Sequence, residues 1–213
     1  MEKSSLHLSC VDCGVCGCSR EDGLYPDFCL TALLSEESRA KAMEYLLEED
    51  NNRLAVAAAE VEYEGYGHWT RVEEIVQFAH KIGAKKLGIA TCVGLISESR
   101  TLAKILRANG FEVYGAACKV GATPKVEIGI PQACEAVGCN MCNPILQALL
   151  LNSAGTELNL VVGLCVGHDS LFYKYSDALC TTVITKDRVL GHNPAAALYT
   201  SGSYYKRLLN EQG

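Results

Sequence analysis

The chain contains twelve cysteines, and many of them are spaced so that their thiols could bind a metal. Five lie within the first thirty residues, at Cys10, Cys13, Cys16, Cys18 and Cys29. A Cys-x2-Cys turn brings two thiolates to one metal, and either Cys16 or Cys18, together with Cys29, would complete a set of four. Zinc and iron–sulfur clusters both accept four thiolates, so this spacing predicts a metal site without identifying the metal. A redox dithiol, the alternative, would use only two of these thiols.

A second group of thiols is dispersed along the chain but occurs at equivalent structural positions. Three cysteines directly follow predicted strands and a fourth precedes a predicted helix: Cys92, Cys118 and Cys165, and then Cys142. Parallel strands present their carboxyl ends along one sheet edge, and a helix N-terminus lowers a thiol pKa. Glycine turns and a helix start also supply N–H donors to cluster sulfurs. We therefore expect these four thiols to bind a cofactor, an iron–sulfur cluster, at that edge.

Other interpretations of these cysteines stay open. Free cysteine is often a buried packing residue, in which case the protein is a zinc-stabilised binding module or a metal carrier without catalysis. Cys134 and Cys139 compete for the ligand role, because with Cys142 they reproduce a ferredoxin-like spacing. Cys180 lies inside a predicted strand and is interpreted as structural.

His168 and Asp169 follow Cys165 closely and are the candidate catalytic residues. Both would face the predicted cluster edge, where they could move protons. An equally simple interpretation makes Asp169 a helix cap beside an exposed histidine. In a third hypothesis, Cys92 or Cys165 acts as a catalytic thiolate near His168, without a cluster.

Two more histidines lie near predicted sites. His192 follows the fourth predicted strand and could line the same crevice, although a plain turn explains it equally well. His7 precedes Cys10 by three residues, so its imidazole could join the N-terminal metal.

Hydrophobic periodicity predicts the elements that position these residues. Helices are expected from Ser35 onwards and over 52–64, 70–82, 98–109 and 144–152. Strands are expected over 86–91, 111–117, 159–164 and 179–185. A short crossover is expected at 170–175 and a partly helical tail over 194–209. The βαβ alternation predicts an α/β fold: a parallel Rossmann-like sheet of about four strands flanked by helices. A Cys-rich metal-binding loop is expected over 1–34, and a helical lead-in with the Rossmann-like domain over 35–213.

Composition narrows the class of protein. The chain has 213 residues, 49% of them hydrophobic, and a net charge of −6, which disfavours nucleic acids and anionic membranes as partners. No apolar run approaches the roughly 20 residues of a membrane span, and no apolar leader precedes Cys10, so a cytoplasmic location is expected. Disulfides are rare in that compartment, which favours metal or redox roles for the thiols. The turn after the first strand has too few glycines for a nicotinamide site.

Several segments together resemble a known family. GYGHWTRVEEIVQFA, GIATCVGL, GFEVYGAACKVG, MCNP, GLCVGHDSLF and KDRVLGHNPAAALY are similar to the uncharacterised metal-binding proteins grouped as domain of unknown function 1847. The resemblance spans nearly the whole chain. It implies ligands at Cys92, Cys118, Cys142 and Cys165, and at Cys10, Cys13, Cys18 and Cys29.

The same resemblance implies metal binding in an anaerobic or prokaryotic cytoplasm, with no reaction attached. Cys16 is an additional thiol relative to the family pattern, and Cys29 lacks a following proline. The position of the predicted cluster at the sheet edge leads us to expect redox or sulfur chemistry on a small molecule. The expected partners are that substrate or an electron-transfer partner.

Overall fold

The computed structural model describes residues 8–20 and 23–210, so His7 lies outside the described residues. Backbone contacts divide the chain into two compact units, Met1–Val56 and Ala57–Gly213. The division predicted at residue 34 concerns metal binding and stays a prediction. Within the described ranges, no helix combines the length and apolar character needed to cross a bilayer.

The first unit begins with short turns and continues into helices. Its cysteine-rich segment contains 3-10 turns at Cys10–Asp12 and Gly17–Ser19, followed by helices α1 (Leu30–Leu33), α2 (Glu36–Leu47) and the start of α3 (Glu49–Gly65). Ser35 caps α2 by accepting a hydrogen bond from the Ser38 N–H at 3.2 Å, as its position before two glutamates predicts. Before α2, the sequence lacks the repeated apolar spacing that builds a core. The N-terminal thiols lie in this part of the chain.

The second unit contains a four-stranded sheet in which all strands are parallel. The strands are β1 (Lys86–Thr91), β2 (Glu112–Ala117), β3 (Leu158–Val162) and β4 (Leu179–Ile184), in the spatial order β2-β1-β3-β4. The central strands β1 and β3 are almost entirely buried, as expected for a sheet covered on both faces. The predicted parallel α/β architecture is confirmed.

Helices connect and cover these strands. They are α4 (Arg71–Lys81), α5 (Ile96–Ala108), α6 (Pro144–Ser153), α7 (His168–Tyr175) and α8 (Ala195–Tyr199), with 3-10 turns at Val93–Leu95, Lys125–Ile128, Gln132–Val137 and Lys206–Leu209. The capping box predicted from Thr70 and Glu73 begins α4. The crossover predicted over 170–175 is a helix that begins earlier, at His168.

Strand β3 is shorter than the apolar run 159–164 predicts, and the reason lies in Gly163. Its φ of 63° is left-handed and breaks the extended conformation. A Cβ at this position would approach Leu95 Cδ1 to 2.1 Å, so the chain also turns where only glycine fits. Cys165 therefore lies in the turn between β3 and α7, as the third residue after the strand rather than directly after it.

The apolar core reaches the carboxyl edge of the sheet. Buried alanines such as Ala90, Ala116 and Ala148 let α6 pack closely on β1 and β2, and Phe172 of α7 is completely buried beside them. Deeper in the sheet, buried Asn159 accepts a hydrogen bond from Thr156 Oγ1 at 2.8 Å and donates one to Ser176 Oγ at 2.8 Å. A buried amide keeps its place only while these partners remain.

Gly88 of β1 leaves the space that the Asn159 amide occupies. A Cβ at Gly88 would lie 1.9 Å from Asn159 Oδ1, whereas a Cβ at Gly115 of β2 would have its nearest neighbour at 3.7 Å. We predict that Gly88→Ala lowers the free energy of unfolding by about 1–3 kcal/mol through overpacking. Gly115→Ala is the matched control and should leave it nearly unchanged. Urea unfolding of both variants checks this, and equal midpoints would contradict it.

Candidate metal centre

Four thiols from distant parts of the chain line one cavity at the carboxyl edge of the sheet. Cys92 follows β1, Cys118 follows β2, Cys142 precedes α6 and Cys165 lies after β3; the cavity measures about 740 Å³. The sheet ladder itself fixes two of them. The Cys92 N–H donates to the Val162 carbonyl at 3.0 Å, and the Cys118 N–H donates to the Thr91 carbonyl at 2.8 Å.

Cys142 reaches this edge because the start of α6 is tied to the end of β2. The Asn143 N–H donates to the Cys118 carbonyl at 2.8 Å, which places the residue before it beside Cys118. The Asn143 side chain then accepts the Leu146 N–H at 2.9 Å and caps the helix, with Pro144 in the first turn.

A buried amide joins α6 to both neighbouring strand ends. Gln147 is fully buried, and its Nε2 donates to the Ala116 carbonyl at 2.7 Å and the Thr91 carbonyl at 3.1 Å. The Thr91 hydroxyl is in turn held by Ser99 Oγ at 2.6 Å. These contacts bind the two strand ends and one helix into a fixed frame for the thiols.

Cys118 is the central thiol of the group. It is only 3% exposed, it hydrogen-bonds the thiols of Cys142 and Cys92, and its Sγ accepts the Val93 N–H at 3.3 Å. The contacts with Cys142 and Cys92 raise the pKa of Cys118. The contact with Cys118 is the leading cause that lowers the pKa of Cys92 and of Cys142. Without metal, Cys118 therefore keeps its proton while its two neighbours ionise first.

Basic side chains contact two of the thiols from the segment after β4. Lys186 hydrogen-bonds Cys92 and adds to the lowering of the Cys92 pKa. Arg188 Nη2 donates to Cys165 Sγ at 3.0 Å, and this contact raises the pKa of Arg188. The Lys186 contact favours the Cys92 thiolate, and thiolate is the form that binds metals.

The two candidate catalytic residues occupy different environments. His168 begins α7, lines the cavity and hydrogen-bonds the Cys142 thiol, which is the leading cause that raises the pKa of His168. Asp169 is not among the cavity-lining residues, and its Oδ1 accepts the Ser170 N–H at 2.8 Å. His168 is thus in position to exchange a proton in the cavity, whereas Asp169 lies at the start of the helix. A catalytic role stays a prediction for both.

The remaining candidates of this unit lie outside the cavity lining. His192 closes a turn, with its Nδ1 accepting the Asp187 N–H at 3.1 Å. Cys134 and Cys139 are exposed on the loop between β2 and α6. Cys180 is half-buried in β4 and packs against the core.

The N-terminal thiols form a separate group within the first unit. A cavity of about 170 Å³ is lined by Cys10, Cys13, Cys16, Cys18 and Cys29. The Cys16 N–H donates a hydrogen bond to Cys13 Sγ at 3.5 Å. Cys29 precedes α1, where the Ala32 N–H is the leading cause that lowers the Cys29 pKa. Both Cys16 and Cys18 line the cavity, so the choice between them stays open.

The four sheet-edge thiols surround a cavity rather than a single-ion site. Within residues 8–20 and 23–210, no three His, Cys, Asp or Glu side chains are arranged so that they could hold one metal ion. The ligands of a cubane iron–sulfur cluster each bind a different iron, so they surround a larger body than one ion. Four thiols around one cavity, with a backbone N–H and basic groups on their sulfurs, fit that requirement.

Comparison with known proteins identifies the family. The model of the family described as "Protein of unknown function (DUF1847)" matches residues 29–183. The chain belongs to the DUF1847 family. The DUF1847 protein is also 47% identical over 169 residues to "Uncharacterized protein MJ0455" of Methanocaldococcus jannaschii. These 169 residues cover 79% of this chain and 86% of the relative. No solved structure matches the DUF1847 protein.

The family match includes the sheet-edge thiols and Cys29, and begins after Cys18. Sequence reasoning missed the basic lining of the cavity in this DUF1847 protein: Lys119, Lys125, Lys186 and Arg188. Three of these had a usable signal, since Lys119 follows Cys118 directly and Lys186 and Arg188 follow the end of β4. Lys125 had none, because its place depends on the fold of a long loop.

Thiol reactivity in the metal-free protein tests the electrostatics of the DUF1847 site. Cys142 and Cys180 are both half-buried, but contact with Cys118 lowers the pKa of Cys142 whereas burial raises that of Cys180. At about pH 6 we expect iodoacetamide to modify Cys142 roughly tenfold faster or more, because the thiolate is the nucleophile. Peptide mapping by mass spectrometry after chelator treatment measures both rates. The urea-unfolded chain is the control, and equal rates in the folded protein would contradict the prediction.

Proposed function

We propose that this DUF1847 protein binds an iron–sulfur cluster on Cys92, Cys118, Cys142 and Cys165 and uses it in redox or sulfur chemistry on a small molecule. The observation that carries the proposal is the convergence of three strand-end thiols and one helix-start thiol on a single cavity. Buried cysteines that served only packing would have no reason to share a cavity with one another and with basic groups.

The basic groups around these sulfurs suit the net negative charge of a metal centre bound by four thiolates. Four thiolates carry more negative charge than one zinc ion neutralises, and so does a cluster bound to four thiolates. Lys186 and Arg188 contact two of the sulfurs, and the Val93 N–H contacts a third. Hydrogen bonds and charges of this kind set cluster potentials. When bound by four thiolates, the cluster would supply one-electron transfer.

The protein supplies the surroundings of that chemistry through its own side chains. His168 holds a proton beside Cys142 and faces the cavity, so it is the candidate donor to a reduced substrate. Lys186 favours the ionised form of Cys92, and Arg188 donates a hydrogen bond to Cys165 Sγ. The frame of Gln147 and Asn143 fixes the distance between the strand ends and α6, which limits reorganisation on binding.

A second metal site is proposed in the N-terminal unit, on Cys10, Cys13, Cys18 and Cys29. Five thiols lining a cavity of about 170 Å³ support it, since a segment with little apolar periodicity gains order from a metal. Rotation of the side chains would be needed to bring four sulfurs around one ion. Zinc or a second iron–sulfur cluster fits these ligands, and the zinc form would serve as a structural or partner-binding module.

Metal analysis of single cysteine variants tests the sheet-edge proposal. Anaerobically purified protein with Cys10 and Cys13 changed to serine should hold about four iron and four sulfide per chain. Adding Cys118→Ser should abolish most of both, because Cys118 is the central thiol. Cys180→Ser in the same background is the matched control and should keep the full content. Colourimetric iron and sulfide assays with an absorption spectrum measure the outcome.

Two results would overturn the cluster proposal. If the Cys118→Ser protein keeps its iron and sulfide, these thiols do not bind the cluster. If the parent is colourless and holds stoichiometric zinc after strictly anaerobic preparation, the zinc-stabilised binding module replaces the redox proposal.

The N-terminal site is tested in a Cys118→Ser background, which removes the sheet-edge ligands. There, Cys18→Ser should lower bound zinc or iron to near zero, because it removes one of four proposed ligands. Cys16→Ser is the matched control and should leave the metal content unchanged. Plasma mass spectrometry of desalted protein measures both, and the opposite pattern would assign the ligand role to Cys16.

A further inference from the structure

The cavity beside the sheet-edge thiols is strongly basic in an acidic protein. Lys119, Lys125, Lys186 and Arg188 line it together with His168, and no Asp or Glu is among its described lining residues. The whole chain has a net charge of −6, so this concentration of positive charge is local. A cleft lined by one sign of charge attracts ligands of the opposite sign.

The sulfur atoms account for only part of this charge. Lys186 contacts Cys92 and Arg188 contacts Cys165, which leaves the two lysines of the loop after β2. Lys119 Nζ donates to the Asn140 carbonyl, and Lys125 Nζ donates to the Cys134 carbonyl at 2.5 Å.

Lys125 carries a positive charge that is buried without a carboxylate beside it among the described residues. It is only 8% exposed, and among the described residues no carboxylate forms an ion pair with it. A buried ammonium is normally paired with an anion, and a single carbonyl uses one of its three donors. The Lys125 side chain therefore has donors and charge to offer an anionic ligand in the cavity.

The same loop also supplies an apolar wall to the cavity. Ile128, Ile130, Val137 and Met141 line the cavity, and Ile128 and Val137 remain 62% and 84% exposed. Covering such side chains with an apolar ligand removes them from water and stabilises the complex. An inorganic anion would leave this wall uncovered, and a neutral apolar ligand would leave Lys125 unpaired.

We infer that the cavity binds a small organic anion, with its charged head at Lys125 and Lys119 and its apolar body against Ile128 and Val137. The cavity volume of about 740 Å³ lies within the usual range for small-molecule sites and leaves space beside the thiols. This inference rests on the proposed function, because it names the substrate class of the same cavity.

Calorimetric titration of the anaerobically purified full chain tests it with three probes. Hexanoate carries both features, acetate carries the charge without the chain, and hexanol carries the chain without the charge. Hexanoate should bind roughly tenfold tighter or more than either of the others. Its affinity should weaken as salt is added, because dissolved ions screen the attraction between the carboxylate and the basic lining.

Two variants locate the site. Lys125→Met keeps the apolar stem and removes the charge, and Val137→Asp places a negative charge on an exposed part of the wall; each should weaken hexanoate binding roughly tenfold or more. Lys104 is exposed on α5, so Lys104→Met is the matched control and should bind like the parent. Because Val137 is exposed, Val137→Asp remains informative if Lys125→Met fails to fold.

The inference is overturned if hexanoate binds no better than acetate and hexanol, or if Val137→Asp and a folded Lys125→Met bind it like the parent. Iron and sulfide measured on the same samples separate this result from the cluster proposal. Full cluster content without hexanoate binding removes the substrate class alone, whereas hexanoate binding without iron removes the cluster alone.

Discussion

The parallel pairing of β1 with β2 and β3 is the constraint from which the candidate site follows. Thr91 pairs with Ala117 and with Val162, so the three strands end at the same level of the sheet. Whatever follows each strand is then delivered to one edge, whether or not the residues are close in sequence. A one-residue change in register would send Cys92 or Cys118 to the opposite face, because side chains alternate along a strand.

Bringing several thiols together makes their ionisation costly, and the surrounding residues reduce this cost. Thiols packed together in a partly buried cavity cannot all ionise, and the proton retained by Cys118 lets Cys92 and Cys142 become anionic beside it. Lys186 and Arg188 approach from the segment after β4 and stabilise the outer sulfurs. The metal-free site is therefore held together by hydrogen bonds that a metal would replace, which couples binding to deprotonation.

The sequence was sufficient for those parts of the molecule that depend on local pattern or on general topology. The run 86–91 and the Thr70 capping box follow from propensity, and the meeting of four thiols follows from parallel βαβ connection. The early end of β3 did not follow, because it depends on the left-handed conformation of Gly163 and on its close approach to Leu95, which is distant in sequence. Nor did the position of Lys125, since no periodic signal fixes a loop whose conformation depends on contacts between its own ends.

That loop lies between the proposed metal site and the proposed anion site and would link them. It begins after Cys118 and returns to Cys142, and hydrogen bonds between Met141 N–H and the Thr123 carbonyl at 2.9 Å and between Lys125 N–H and the Cys139 carbonyl at 3.0 Å hold its two ends together. A cluster bound by both flanking thiols would close the same loop covalently through its sulfur ligands. Closing a loop lowers the entropy that its side chains lose on binding. Metal binding would thus preorganise Lys125 and the apolar wall, so the two sites would reinforce each other although they share no ligand residue.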